Sequence, residues 1–309
     1  MLSTICSSSY ANNDINAYDM LNYISYDLLP PINSSHITTF TIQELTNPIE
    51  VAENFTWEEQ FVVITKLRII HKYLQDLFYK IFNYMYKKVK IILNDSVPKL
   101  SKNILLLLTE IFNIYHDEST IEYTYLMRYL KCFLPVILKK TITNSNNSII
   151  KLQFDNCLAN IKNNMLYFDT LLIIIDIIIS NNKNLVLGEK CFNLFSSVLS
   201  NIPKCYFEEL SNRSLCQLIE RITDLHNLKT TFHTKMSYKI LEYFIHNNID
   251  LVYYIDDKEL VSNVQNIIKN KTEAIETKKK IQKERNESKE MIQKDKLHYI
   301  LNSKYNYSI

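Results

Sequence analysis

Phe55-Thr56-Trp57-Glu58-Glu59-Gln60 carries the clearest helix-start signal in the sequence. A threonine followed three residues later by a glutamate is a capping box, in which the hydroxyl accepts a backbone N–H and the carboxylate reaches back to the cap. The apolar residues that follow are spaced alternately four and three apart, at Val63, Leu67, Ile70, Leu74 and Leu77. This spacing predicts a helix that begins at Trp57 and has one apolar face.

The same apolar spacing recurs along the chain and predicts a series of helices. It appears at Leu100, Ile104, Leu107, Ile111 and Ile114; at Ile150, Phe154, Cys157 and Ile161; at Leu187, Cys191, Leu194 and Val198; at Leu215, Leu218, Ile222 and Leu225; and at Met236, Ile240 and Tyr243. Helix starts are predicted near Trp57, Pro98, Ser148, Asn184 and Thr231, at a mean interval of about 43 residues, which is within the range of HEAT and armadillo units. We therefore predict an all-α protein, an α-solenoid of about five to six helical pairs. A compact helical bundle is the alternative.

Composition supports this fold class. The 309 residues are 47% hydrophobic, so a large core can form, and they include one glycine, Gly188. Phosphate-binding loops and hairpin-rich β folds need several glycines, which argues against both.

Charge and composition divide the chain into three predicted regions. Residues 1–40 are rich in Ser, Asn, Asp and Tyr and are expected to form an irregular or disordered leader with one short helix. The repeats occupy 41–255, and 256–309 form a charged helical tail, in which 269–296 hold ten basic and six acidic residues. Such a tail is typical of a solvated helix. A docking segment for an acidic surface or a coiled coil is the alternative.

Nucleic-acid, membrane and secretory functions are not expected. The formal net charge is only +2 and the basic residues are spread out. The most apolar run, 171–179, is interrupted by Asp176 and is shorter than a membrane span. No signal peptide is visible, and the six cysteines form no metal-binding pattern, so we interpret them as reduced core residues. We expect a cytoplasmic protein.

No catalytic motif is present in the sequence. The histidines lack an H-E-x-x-H pattern, and His226 and His233 are too far apart for a convincing metal pair. Asp256-Asp257, near Glu259, is typical of a solvated turn. We predict a protein that is not an enzyme and has no cofactor or metal.

Several short motifs, taken in order over about 41–250, resemble the TOG domain, a HEAT-repeat tubulin-binding module, and most closely its CLASP and crescerin types. The motifs are Asn47-Pro48, Trp57-Glu58, Asp95-Ser96-Val97-Pro98-Lys99, Phe133-Leu134-Pro135-Val136-Ile137-Leu138-Lys139-Lys140, Asn144-Ser145-Asn146-Asn147-Ser148-Ile149-Ile150-Lys151 and Asn182-Lys183-Asn184-Leu185-Val186. The resemblance implies a flat domain whose loops along one edge bind αβ-tubulin. It also implies a place in the cytoskeleton, such as the axoneme, basal body or spindle.

The resemblance implies a set of tubulin-binding residues, with an aromatic anchor in the first loop and basic residues in the later ones. These are Trp57 in the first loop, Lys99 and Lys102 in the second, Lys151 in the third, Lys183 in the fourth, and Lys229 and Lys235 in the fifth. An aromatic anchor supplies desolvated contact area, and lysines steer an acidic partner.

One departure from the family keeps other functions open. The family often has an arginine at the start of the third-loop helix, where this chain has Ser148-Ile149-Ile150. A HEAT/armadillo scaffold for another protein is therefore the alternative, and it predicts a buried Trp57 and lysines that do not share an edge. A nucleic-acid or transport-related helical repeat is a third hypothesis, which the spread of charge argues against.

Overall fold

The computed structural model describes residues 25–29, 55–95, 97–143 and 148–246, and helical positions within 262–291, namely 262, 265–267, 269–270, 273, 276–289 and 291. These residues form helices and short connections without any strand, which confirms the all-α class. Most of the leader, Asn47-Pro48, Asn144–Asn147, Asp256-Asp257 and much of the charged tail lie outside the described residues. The chain divides after Pro203 into two compact units.

A single 3-10 turn, Tyr26–Leu28, precedes the ten helices that lie between residues 57 and 246. Seven of them belong to the first unit: α1 (Trp57–Tyr73), α2 (Gln75–Asp95), α3 (Pro98–Ile111), α4 (Ile121–Thr143), α5 (Ser148–Asn164), α6 (Phe168–Ser180) and α7 (Leu185–Asn201). Three belong to the second: α8 (Lys204–Glu209), α9 (Asn212–Asn227) and α10 (Thr231–His246). In the described part of the chain, no helix is both long and apolar enough to cross a membrane.

The predicted helix starts are confirmed. Helix α1 begins at Trp57 behind a complete capping box, in which the Glu59 N–H donates to Thr56 Oγ1 at 3.3 Å and the Thr56 N–H donates to Glu59 Oε2 at 2.8 Å. Helix α7 follows Asn184, whose side chain accepts the Leu187 N–H at 3.0 Å. The other starts fall at Pro98, Ser148 and Thr231.

Replacing Thr56 with alanine is expected to lower the free energy of unfolding by about 1 kcal/mol, because the cap satisfies backbone N–H groups that have no partner inside the helix. Urea unfolding monitored by the fluorescence of Trp57, the only tryptophan, measures the effect in the first unit. Thr124→Ala, at an exposed position inside α4, is the control and should not destabilise the unit. Equal stability of the Thr56→Ala variant and the wild type would contradict the role of the cap.

The first predicted helix, which was expected to continue through Leu77, is two helices in the structure. The apolar stripe from Val63 to Leu77 crosses two helices, because the backbone leaves the helical region at Leu74 (φ −142°, ψ 60°) and α2 begins at Gln75. The Leu74 N–H still donates to the Ile70 carbonyl at 2.7 Å, so the chain turns without a loop. The other stripes lie on single helices and are buried, apart from Ile114, which follows α3, and the half-buried Tyr243.

Within the first unit, α1, α3, α5 and α7 pack against one another in succession, and so do α2, α4 and α6. Polar contacts at nearly constant sequence separation join these helices. They are Phe61–Asn103 and Arg68–Glu110 between α1 and α3; Thr109–Asn160 between α3 and α5, with Asn113–Asn164 from the turn just after α3; and Asn83–Arg128 and Asn94–Lys140 between α2 and α4. The separations are 42, 51 and 45–46 residues respectively. A constant separation along two helices means that they run parallel.

The second unit is smaller. Helices α9 and α10 pack together over buried residues that include Leu218, Ile222 and Ile240. The Phe207 ring of α8 contacts the Phe244 ring of α10, with centroids 5.3 Å apart.

Candidate protein-binding edge

Trp57 and Lys99, which the sequence analysis assigned to two successive loops, are in contact. Trp57 is the first residue of α1 and is half-buried, and Lys99 is the second residue of α3. The Lys99 ammonium lies 5.8 Å from the centroid of the Trp57 ring and 5.8 Å from that of Phe61. A cation over an aromatic face is attracted by the ring quadrupole, so the contact holds both side chains at this end of the two helices.

Lys151 and Lys183 lie at the same end of the first unit. Because residues of α3 and α5 pair at a separation of 51, the half-buried Lys151 lies beside the start of α3. The exposed Lys183 precedes α7, and Lys190 in the second turn of α7 donates to the Thr141 carbonyl at 3.2 Å, close to the point where α4 leads into α5. We call this end of the first unit, with Trp57, Lys99, Lys151 and Lys183, the N-terminal edge.

Lys102 lies one turn into α3 and faces a surface cavity rather than the edge itself. The cavity has a volume of about 470 Å³ and is lined mainly by α3, the two residues Asn113 and Ile114 after it, and α5, with Ser25 and Tyr26 forming one wall. Its polar lining includes Lys102, Glu110, Asn160 and Arg68, the one lining residue from α1.

The two fifth-loop lysines belong to the second unit and lie close together in sequence. Lys229 is exposed in the connection between α9 and α10, with a φ of 54°, which is unusual for a residue with a Cβ. Lys235 is exposed near the start of α10. The structure thus brings four of the seven candidates to one edge of the first unit and leaves Lys229 and Lys235 in another unit.

Beneath the edge, α1 and α3 are joined by a buried ion pair that the sequence analysis missed. Arg68 is 1% exposed, and its Nε donates to the two carboxylate oxygens of Glu110 at 2.8 and 3.0 Å. Arg68 Nη1 also donates to Asn103 Oδ1 at 3.3 Å, and the Asn103 amide donates to the Phe61 carbonyl at 3.0 Å. Burial raises the pKa of Glu110, and the hydrogen bonds from Arg68 oppose that rise.

The sequence contained a signal for this pair. Arg68 follows Ile64 by four residues and Phe61 by seven, so it lies on a second apolar side of α1, where an unpaired charge would be costly. Such a residue requires a partner, and Glu110 lies one repeat interval away in sequence. His71, three residues after Arg68, lies on the same buried face, and the same reasoning would have singled it out.

Of the five cysteines in the described part of the chain, only some lie in the core; Cys6 is outside the described residues. Cys157 and Cys191 are buried, and burial raises the pKa of each thiol to about 12. Cys132 and Cys216 are half-buried and Cys205 is exposed, so the prediction of a core position is wrong for Cys205. Its neighbours Lys204 and Glu208 form a surface helix turn, which explains the exposure.

No protein-family model matches this chain, and no curated protein matches it either. The likeness to the TOG domain therefore depends on the motifs and on their order in the sequence.

Proposed function

We propose that this chain is a non-enzymatic, TOG-like protein that binds αβ-tubulin through the N-terminal edge of its first unit and acts in microtubule or axoneme organisation. The observation that carries the proposal is the contact between Trp57 and Lys99, with Lys151 and Lys183 at the same end of neighbouring helices. An aromatic side chain surrounded by spaced cations suits a partner with an acidic surface.

The proposal includes an α-solenoid as the architecture of the first unit. Two sets of alternating helices, α1, α3, α5 and α7 in one and α2, α4 and α6 in the other, pack in succession. Contacts at separations of 42 to 51 residues are what stacked helical pairs produce, since each residue meets its equivalent one repeat later. The predicted interval of about 43 residues is close to this range.

The edge supplies two kinds of interaction for such a partner. Trp57 is half-buried, so its ring is held in place and loses little conformational entropy when a partner covers it. Lys151 and Lys183 extend the positive charge along the edge away from Trp57, where they can raise the association rate of an acidic surface.

Trp57→Ala is expected to weaken tubulin binding by about 1–2 kcal/mol, or about 5- to 30-fold in Kd, as loss of an interface anchor does. Binding of labelled tubulin to the full chain, measured by fluorescence anisotropy, checks this. Tyr84→Ala is the matched control: Tyr84 is 76% exposed in the middle of α2, away from the edge. Equal affinities of the Trp57→Ala variant and the wild type, with both proteins folded by circular dichroism, would contradict the assignment.

A scaffold for a different protein partner is the second candidate. It is favoured by the third loop, where Ser148-Ile149-Ile150 provide no positive charge at the helix start. This candidate predicts no measurable tubulin binding by the wild type. The same titration therefore separates the two functions.

A further inference from the structure

The turn at residues 25–29 is bound to the C-terminal end of α1 by its own carbonyl groups. The Lys72 ammonium donates to the carbonyl oxygens of Tyr26, Asp27 and Leu29 at 2.8, 2.9 and 3.3 Å. The Tyr73 hydroxyl also donates to the Leu29 carbonyl, at 2.7 Å, and the Leu29 side chain is only 2% exposed. Residues 25–29 are thus docked on α1, whose first residue, Trp57, comes 28 positions after Leu29.

The Tyr26 ring lies beside a buried histidine whose ring nitrogens have no hydrogen-bond partner among the described residues. His71 is 0% exposed, and neither ring nitrogen has a hydrogen-bond partner among the described residues. Its ring lies 6.3 Å from that of Tyr26, 4.7 Å from Phe78 and 6.4 Å from Tyr79, measured between centroids. Two orphaned nitrogens in an aromatic pocket are an uncommon and costly arrangement.

The groups around His71 do not favour a positive charge on it. The turn contributes Tyr26 and Asp27, and α1 contributes Arg68, Lys72 and Tyr73. Tyr79 belongs to α2, Glu110 to α3, and His116 to the connection after α3. Glu122 of α4 acts on His116. Glu110 is engaged by Arg68, and Asp27 is exposed. Burial, and then repulsion from His116, lowers the pKa of His71 to about 4.

We propose that the turn at 25–29 is a latch that acid releases, with His71 as the group whose protonation opens it. While the turn is docked, His71 is fully buried, so a charged imidazole could be neither hydrated nor hydrogen-bonded. Undocking of the turn opens one side of the ring to water. Since Ser25 and Tyr26 form a wall of the 470 Å³ cavity, release of the latch also opens that cavity toward Arg68 and Lys102.

The direction of the effect follows from proton linkage. With the turn docked, the pKa of His71 is about 4. Release of the turn hydrates one side of the ring and raises this pKa toward the ordinary value of 6.5, while His116, Phe78 and Tyr79 stay in place. The released form therefore binds more protons, so docking is at full strength above pH 6.5 and weakens as the pH falls toward 4. A full return to 6.5 would weaken docking by about 30-fold between pH 7.5 and pH 5, so about 30-fold is the upper bound of the effect.

Hydrogen exchange of the full-length chain tests the latch, with observed rates divided by the intrinsic rates at each pH. The Leu28 and Leu29 amides report docking, because they donate to the Ser25 and Tyr26 carbonyls inside the turn. We expect their protection to fall by up to about 30-fold between pH 7.5 and 5 while α6 (Phe168–Ser180) keeps its protection. In His71→Phe, which keeps an aromatic ring without nitrogens, their protection should not change with pH.

Three further variants make the result decisive. His71→Leu replaces His71→Phe should the phenylalanine variant not fold. Lys72→Met removes the ammonium from the turn and should lose protection at both pH values, which shows that the amides report docking. His226→Phe, in the second unit, should respond to pH as the wild type does. The proposal is overturned by an equal loss in the His71 variants, by no loss in the wild type, or by a parallel loss in α6, since that indicates global unfolding.

Discussion

Arg68→Met is expected to destabilise the first unit by about 3–5 kcal/mol, because it leaves the buried Glu110 carboxylate without its cation. Glu110 is 9% exposed, so water replaces the guanidinium poorly. The same substitution removes a hydrogen bond to Asn103, which links the network to the backbone of Phe61. The loss should exceed that caused by any surface charge, since exposed ion pairs contribute about 1 kcal/mol or less.

Urea unfolding monitored by Trp57 fluorescence measures this loss, because Trp57 lies in the first unit. Arg128→Met is the matched control. Arg128 is exposed on α4 and donates to Asn83, so its loss should cost less than about 1 kcal/mol. The double variant Arg68→Met with Glu110→Leu should recover most of the stability, since it removes both charges. A small loss in Arg68→Met alone would show that Glu110 is accommodated by other means.

The starts of the helices could be predicted because local chemistry determines them. Thr56 and Glu59 satisfy the first N–H groups of α1, and Pro98 fits the first turn of α3, where its missing N–H costs nothing. The apolar stripes identified the buried faces for the same reason, since a helix repeats its face every three to four residues.

The end of α1 could not be predicted in this way. Neither glycine nor proline marks Leu74, and the apolar spacing continues from Ile70 to Leu77 across the break. The turn places Phe78 and Tyr79 against His71 and thereby buries three rings. That gain comes from tertiary packing, which a periodicity argument does not include.

From the sequence, the N-terminal edge could be predicted only as a set of separate loop residues. Periodicity predicts that Trp57 and Lys99 each begin a helix, but the contact between them depends on the parallel packing of α1 and α3. The docking of Tyr26 on Lys72 depends on a contact between residues 46 positions apart, with no motif at either end. Such contacts follow from the three-dimensional packing of the helices.

Four aromatic rings of α2 and α4 form a cluster, with stacked and edge-to-face pairs, that holds these two helices together. The Phe82 ring lies 5.1 Å from Phe78, 4.8 Å from Tyr129 and 6.2 Å from Phe133, measured between centroids. Phe82 and its partners on α4 are separated by about one repeat interval in sequence, so the cluster joins roughly equivalent positions of successive repeats. Aromatic pairs of this kind contribute about 0.5–1.5 kcal/mol beyond the area they bury.

Phe82→Ala is accordingly expected to lower the free energy of unfolding of the first unit by about 3–5 kcal/mol, since it leaves a cavity among rigid rings that cannot collapse to fill it. Phe82→Leu retains most of the volume and should cost less than half as much. Tyr84→Ala, two residues away on the exposed side of α2, should change the stability by about 0.5 kcal/mol or less. Urea unfolding monitored by Trp57 fluorescence compares the three. Similar losses in Phe82→Ala and Tyr84→Ala would mean that the contact between α2 and α4 is not part of the stable core.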